Sequence, residues 1–383
     1  MEINEMRNES SVQKRNSYTT LRSAFVAGVC GLIVLTACNN GSSGAAGKRD
    51  SGKAGATTKP GAAKDTVPGA AADAAAPAAM VAAGPLDTAL YNKLLAHLAN
   101  RDSSGRWPVK TAYPNSGAIL PFKRIIAYYG NLYSKRMGVL GEYPPHEMLG
   151  MLKAELKKWQ AADTTIPVIP ALHYIAVTAQ GSAGKDGKYR ARMPFKQIDS
   201  VLHMAATINA LVFLDVQVGF SDVQSEIPQL EKYLSMPNVH LGIDAEFAMK
   251  PGMRVGKNVG TFDAADVNWC SEYLTKLVKA HNLPPKVFIV HRWTQKMITN
   301  YKQIRTRPDV QIVMDMDGWG PQQLKMDTYK NYEWAQPVQF TGFKLFYKND
   351  VKTLAKVKFA ATTMMTPKQV LALKPSPIYI QYQ

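Results

Sequence analysis

The run Gly242-Ile243-Asp244-Ala245-Glu246-Phe247 sets two carboxyl groups two residues apart. Alternate side chains of an extended strand share a face, so Asp244 and Glu246 are expected about 6 to 7 Å apart on one side of a strand. Like charges at that spacing repel, and the repulsion raises one pKa, leaving a protonated acid beside a carboxylate. Cleavage of a glycosidic bond uses that division of labour. Further ionisable or polar residues close other short apolar runs: His173, Asp215 with Gln217, His291, Asp315 with Asp317, Lys344 and Gln381.

Taken singly, each of these has a structural reading. An Asp caps a loop or a helix, Asp317-Gly318 makes a turn, a His satisfies a core hydrogen bond, and Lys344 serves as a counter-ion. Their common placement argues for function, because carboxylates gathered in an apolar setting are costly to keep. Tyr128, Tyr129, Trp293, Trp319, Phe346, Tyr347, Tyr379 and Tyr382 fall at or just beyond the same run ends, where ring faces suit stacking on sugars. The expected site is therefore Asp244 and Glu246 as the catalytic pair. Around it His173, Asp215, Gln217, His291, Trp293, Asp315, Asp317, Trp319, Lys344, Tyr128 and Gln381 are expected to bind a carbohydrate substrate.

Other chemistries fit the same residues. His173, Asp215, Asp244, Glu246, His291 and Asp315 form a mixed ligand set suited to zinc or manganese in a metal-dependent hydrolase. No HxH or HExxH spacing accompanies them, so no metal and no other cofactor is expected. A Schiff-base role for Lys344 ranks third, since only its strand neighbours are apolar. A non-catalytic carbohydrate-binding or scaffold protein would keep the aromatics and could lose the acid pair, which is present here.

The elements that must position these residues alternate in type. Strand-like runs are predicted at 124–129, 167–175, 211–218, 239–247, 287–293, 310–317, 340–347 and 378–382. Amphipathic helical stretches are predicted at 147–159, 195–209, 223–234, 264–281 and 321–330. Thr366 is expected to cap a helix that has Pro367 at its first position and leads into the last strand. An early helix at 86–98 is expected to cover the barrel bottom or to fill in for a missing final helix. Repeated strand-then-helix units imply a parallel sheet, and eight of them in about 300 residues imply a (β/α)8 TIM-type barrel of the α/β class. An open doubly wound sheet is the competing topology, and the lack of a glycine-rich phosphate loop after any strand counts against it. In a barrel the polar run ends meet at the C-terminal mouth, and the preceding same-face residues, apolar or small (Ile169, Ala171, Leu211, Phe213, Gly242, Ile289 and Val313), make a dry floor.

The 242–247 strand resembles the Asp-x-Glu strand of barrel glycoside hydrolases, including the family 25 lysozymes and, more loosely, the family 18 chitinases. The resemblance implies that Glu246 is the general acid and that Asp244 assists it. Tyr379-Ile380-Gln381-Tyr382 is similar to the last strand of family 25 enzymes. The spaced aspartates that precede the family 18 Glu are missing, and Lys344 has no counterpart there. Over a longer stretch, Ile126-Ala127-Tyr128-Tyr129-Gly130, Met137-Gly138-Val139-Leu140-Gly141-Glu142 and Met365-Thr366-Pro367 resemble a set of uncharacterised bacterial lipoproteins, which implies a barrel and export.

The N-terminus agrees with export. Arg7, Lys14, Arg15 and Arg22 precede an apolar run at 24–35, too short to span a bilayer, and then Leu35-Thr36-Ala37-Cys38, which resembles a lipobox. Residues 1–37 are read as a cleaved signal peptide and Cys38 as the lipidated, palmitate-bearing N-terminus of a membrane-anchored cell-envelope lipoprotein, on the outer or the cytoplasmic membrane. Residues 38–85, rich in Ala, Gly, Ser, Thr, Lys and Pro, are read as a disordered tether, and 86–383 as the barrel domain. With Cys30 in the signal and Cys38 lipidated, Cys270 is left without a disulfide partner and is expected to be buried and inert. The net charge of +17 is partly in the signal and tether, where it suits an anionic membrane or wall. Basic runs interleaved with aromatics are missing, so a nucleic-acid partner is not expected. The protein is read as a monomer.

Overall fold

The computed structural model describes residues 84–351 and 363–383. The expected signal peptide, the lipidation site Cys38 and the tether up to residue 83 lie outside the described residues.

Eight strands form the frame: β1 (Arg124–Gly130), β2 (Val168–Ala179), β3 (Leu211–Val216), β4 (Val239–Asp244), β5 (Lys286–Arg292), β6 (Val310–Met316), β7 (Phe340–Leu345) and β8 (Tyr379–Tyr382). Each pairs in parallel with the next, and β8 pairs with β1, which also pairs with β2. The sheet is thus a closed (β/α)8 barrel, and the open-sheet alternative is excluded. Closure sorts alternate side chains into two cores. Ile126, Leu172, Leu214, Leu241, Val290, Met314 and Phe343 face outward into one buried cluster with the helices. Ile125, Ala127, Ala171, Phe213, Ile289 and Val313 face inward into a second.

The helices of five or more residues are α1 (Thr88–Ala99), α2 (Pro145–Ala162), α3 (Phe195–Ala206), α4 (Ala264–Ala280), α5 (Gln322–Tyr329), which runs on into a π-helical turn, and α6 (Pro367–Leu371). Their apolar stripes, such as Leu152 and Trp159 of α2, Ile198 and Val201 of α3 and Cys270 and Leu274 of α4, are buried against the outer face of the sheet. Cys270 is fully buried. Thr366 caps α6 in a capping box with Gln369, with Pro367 in the first turn, as the residue types predict. Helix α1 places Leu94 and Leu98 in the inner cluster with Leu120, Ile125 and Phe213, so it covers the barrel bottom. Among the described residues no helix is long and apolar enough to cross a membrane.

Three local expectations need correction. The helix predicted over 223–234 is broken into α-helix Val223–Glu226, 3-10 helix Ile227–Leu230 and α-helix Glu231–Leu234. Pro228 is the reason: it lacks an N–H to donate and crowds the preceding turn. Strand β2 runs on to Ala179, because Val177–Ala179 pairs antiparallel with Arg190–Arg192. The fourth strand stops at Asp244 rather than running to 247, with consequences for the site.

Candidate active site

Register brings the polar strand ends together. Tyr129 lies beside His173, Asp215 beside Gly242, Asp244 beside His291, His291 beside Asp315, and Lys344 beside Gln381. Pleating points these side chains into the barrel at its C-terminal end, above the inner apolar cluster. Two glycines make room for them. A Cβ on Gly242 would lie 2.5 Å from His173 Nε2 and 2.7 Å from Asp215 Oδ1, and one on Gly342 would collide with Asp315 Oδ1.

The innermost layer is fully buried: His173, Asp215, His291, Asp315 and Gln381 have no exposed surface. Tyr129 donates its hydroxyl to Asp215 Oδ2 at 2.8 Å. His173 Nε2 and His291 Nε2 lie 3.5 and 3.6 Å from the other oxygen, Asp215 Oδ1. On the far side of each ring, His173 Nδ1 is 2.6 Å from the Tyr379 hydroxyl, and His291 Nδ1 is 3.1 Å from Asp315 Oδ2 and 3.5 Å from Asp317 Oδ2. Lys344 Nζ pairs with Asp317 Oδ1 at 2.8 Å and sits 3.9 Å above the Tyr129 ring.

The charges settle accordingly. Burial opposes the ionised form of Asp215, but His291 and His173 outweigh it and hold its carboxyl below the usual range. Burial alone would strip the proton from His291, yet Asp215 and Asp317 raise its pKa well above the ordinary value. His173 goes the other way: burial lowers it to about 4 against the pull of Asp215, so it is neutral at physiological pH. Burial also raises Asp315. Asp244 is raised well above its ordinary value by burial and by the charge of Asp317.

Glu246 stands apart from this layer. It is half-buried, on a one-turn 3-10 helix (Ala245–Phe247) and not on the strand, so the shared strand face expected for Asp244 and Glu246 does not exist. The reason is local. Asp244 Oδ1 accepts the Glu246 N–H at 3.0 Å, which bends the chain out of the pleat and turns Asp244 into the cap of the turn. Glu246 Oε2 accepts the Trp293 indole N–H at 3.0 Å. Burial first, and then the charge of Asp317, push the Glu246 carboxyl up to about 7 against the opposing effects of Trp293 and Lys344. The carboxylate that most perturbs Glu246 is therefore Asp317, not Asp244.

Other expected residues sort by face. Trp293 and Trp319 are half-buried on the segments that follow β5 and β6, and Gln217 Nε2 lies 3.4 Å from Asp244 Oδ2. Tyr128 is misplaced by the expectation: it points outward into the helix layer, where its hydroxyl meets that of Tyr347 at 2.8 Å and its ring packs on Tyr382. Tyr347 and Tyr382 share that outer cluster, so they do not line the mouth either. Tyr129 and Tyr379 are the inward-facing tyrosines that hold Asp215 and His173. Parity could have found both, because Tyr129 is one residue past Tyr128 and Tyr379 is two before Gln381. Of the six residues weighed as metal ligands, His173, Asp215 and His291 bring one donor atom each within 4.8 Å of one another.

No protein-family model matches the chain, and no curated protein matches it in sequence. Among solved structures the chain is similar to one titled Cellulase Cel5C_n, with 14% identity and a TM-score of 0.33, over 58% of this chain. The chain spans 64% of the length of that structure.

Proposed function

We propose that this barrel is a hydrolase that cleaves glycosidic bonds, with Glu246 as the general acid. One observation carries the reading: a carboxyl held protonated up to about pH 7 sits at the rim of the mouth, half-buried, with its other oxygen steadied by an indole N–H. A group in that state can give its proton to a leaving oxygen as the bond to the sugar breaks, and a water then supplies the hydroxyl to the sugar. The Asp317 carboxylate, paired with Lys344 below, supplies negative charge toward which positive charge on a sugar ring can develop. Asp244 acts as a positioning residue, since its oxygen fixes the turn that carries Glu246. Trp293 and Trp319 offer partly exposed aromatic faces for stacking. His173, Asp215, His291, Asp315 and Gln381 support the rim from below, since they have no surface of their own to offer a substrate.

The same proposal places the enzyme in the cell envelope, tethered by a lipid on Cys38 and acting as a monomer on an envelope or extracellular glycan. Its support is the Leu35-Thr36-Ala37-Cys38 sequence after a basic and an apolar segment. Screening the full-length protein against a panel of wall and extracellular polysaccharides, with Glu246→Gln as the paired control, tests the activity. A glycan cut by the parent and not by the variant supports the reading, and equal cutting by both overturns it.

A further inference from the structure

Beneath the rim, three side chains from three strands turn bare polar atoms toward one another, and two of them are gripped on the far side by hydrogen bonds. Asp215 has Oδ2 held by the Tyr129 hydroxyl, while Oδ1 has no hydrogen-bond partner among the described residues. His173 has Nδ1 in contact with the Tyr379 hydroxyl and with Gln381 Nε2 at 3.0 Å, while Nε2 has no hydrogen-bond partner. His291 has Nδ1 3.1 Å from Asp315 Oδ2, close enough for an ion pair but without hydrogen-bond geometry, and its Nε2 is likewise without a hydrogen bond. The bare atoms are the ones that converge, with Nε2 to Oδ1 separations of 3.5 and 3.6 Å. Two donors each about 2.1 Å from a tetrahedral ion lie about 3.4 Å apart, so the spacing is that of ligands around a metal. Polar atoms this deeply buried without a hydrogen bond are expensive, and three pointing at one place suit an ion between them.

Gly242 marks the place. A side chain there would come within 2.7 Å of both His173 Nε2 and Asp215 Oδ1, so the lack of one keeps the space among the donors clear. The outer contacts also have the form that metal ligands use. A tyrosine hydroxyl behind one imidazole and another behind the carboxylate fix those two ligands' orientation, and a carboxylate lies behind the second imidazole within ion-pair distance. Ligation requires the His173 tautomer that carries its proton on Nδ1, where the Tyr379 oxygen can accept it and the Gln381 amide presents Oε1 in place of Nε2, and it displaces the second proton of His291.

We infer that His173, Asp215 and His291 bind a divalent transition-metal cation of the zinc class, enclosed within the barrel and joining β2, β3 and β5 beneath the mouth. Two imidazoles and one carboxylate suit zinc over calcium or magnesium, which prefer oxygen ligands throughout. Three protein ligands leave one position of a tetrahedral ion for a water, and full burial of all three encloses that position beneath the mouth, where the ion cross-links three strands. The site is independent of the glycan reading, which rests on Glu246 at the rim, so either can stand without the other.

The test uses the purified full-length chain, stripped with a chelator and titrated with zinc chloride, with binding followed by calorimetry and by thermal melting. One equivalent should bind and the melting temperature should rise. Asp215→Asn, which keeps the shape and the Tyr129 contact, and His173→Ala should each weaken binding at least about 100-fold, since loss even of an outer contact costs 10 to 100-fold. His203→Ala, exposed on α3, should bind like the parent. If a ligand variant fails to fold, cobalt added to the parent decides: a site of this kind gives an intense visible absorption that zinc displaces. No saturable binding by the parent, or undiminished binding by a folded Asp215→Asn or His173→Ala, overturns the assignment.

Discussion

Replacing Glu246 by Gln removes one proton and one potential charge while keeping the shape and the contact with the Trp293 indole. At an ordinary glutamate value of 4.5 only about 1 carboxyl in 300 would carry a proton at pH 7, whereas at about 7 half of them do. Burial at the rim, helped by Asp317, thus raises the fraction of enzyme ready to donate by roughly 150-fold at neutral pH. Loss of a general acid typically costs about 100-fold to 10,000-fold, or roughly 3 to 5 kcal/mol of transition-state stabilisation. Glu246→Gln should therefore lower kcat/KM by that factor for glycans with poor leaving groups and much less for aryl glycosides whose leaving group needs no proton. The parent's kcat/KM should fall above about pH 7 as Glu246 ionises, and the variant should lack that alkaline limb. Stability supplies a second readout. A carboxyl raised on folding binds its proton more tightly in the native state, so native stability declines as pH rises from about 4.5 to about 7. The Gln variant should escape that decline and be the more stable protein at pH 8, by at most about 3 kcal/mol because solvent at the rim screens part of the effect. A folded variant that cuts such glycans within a few fold of the parent, or that keeps the alkaline limb, would refute Glu246 as the acid.

Asp317→Asn removes the charge that most raises Glu246, so the alkaline limb should move to lower pH; an unmoved limb in a pH-rate profile would show that burial alone sets it. Asp244→Asn should move the limb less than Asp317→Asn does, because Asp317 is the carboxylate that most raises Glu246, and any loss of rate should track distortion of the turn instead. Gly342→Ala drives a methyl into Asp315 Oδ1 and should destabilise the fold by about 1 to 3 kcal/mol in urea unfolding, whereas a neutral result would mean the buried layer can yield there. Thr366→Ala breaks the capping box of α6 and should cost about 1 kcal/mol in the same assay. Mass spectrometry of the mature protein should find Cys38 at the N-terminus and acylated, with Cys38→Ala stalling or releasing it; a mature chain that keeps residues 24–35 would contradict the lipoprotein proposal.

The barrel was legible in the chain because its signals are short-range. Alternation of apolar residues over five to seven positions marks each strand, helical spacing marks each return, and Thr366-Pro367 with Gln369 marks a helix start through contacts within one turn. The polar strand ends were legible for the same reason, since His173, Asp215, His291, Asp315 and Lys344 share the parity of apolar or small residues two positions before them. What local pattern could not supply was where a strand stops and which neighbour a charge meets. Ile243 to Phe247 reads as strand by alternation, yet the carboxyl of Asp244 finds the Glu246 N–H and turns the chain, which separates the expected pair. Tyr128 and Tyr129 are adjacent and alike in type, and only barrel closure decides that one joins the helix layer and the other holds Asp215. The charge that raises Glu246 lies just past the end of β6 and the ring that holds His173 on β8, so both depend on register across the closed sheet. Pattern along the chain determines which residues face inward at the mouth. Long-range packing determines which of them touch, how deeply they are buried and therefore which of them hold protons.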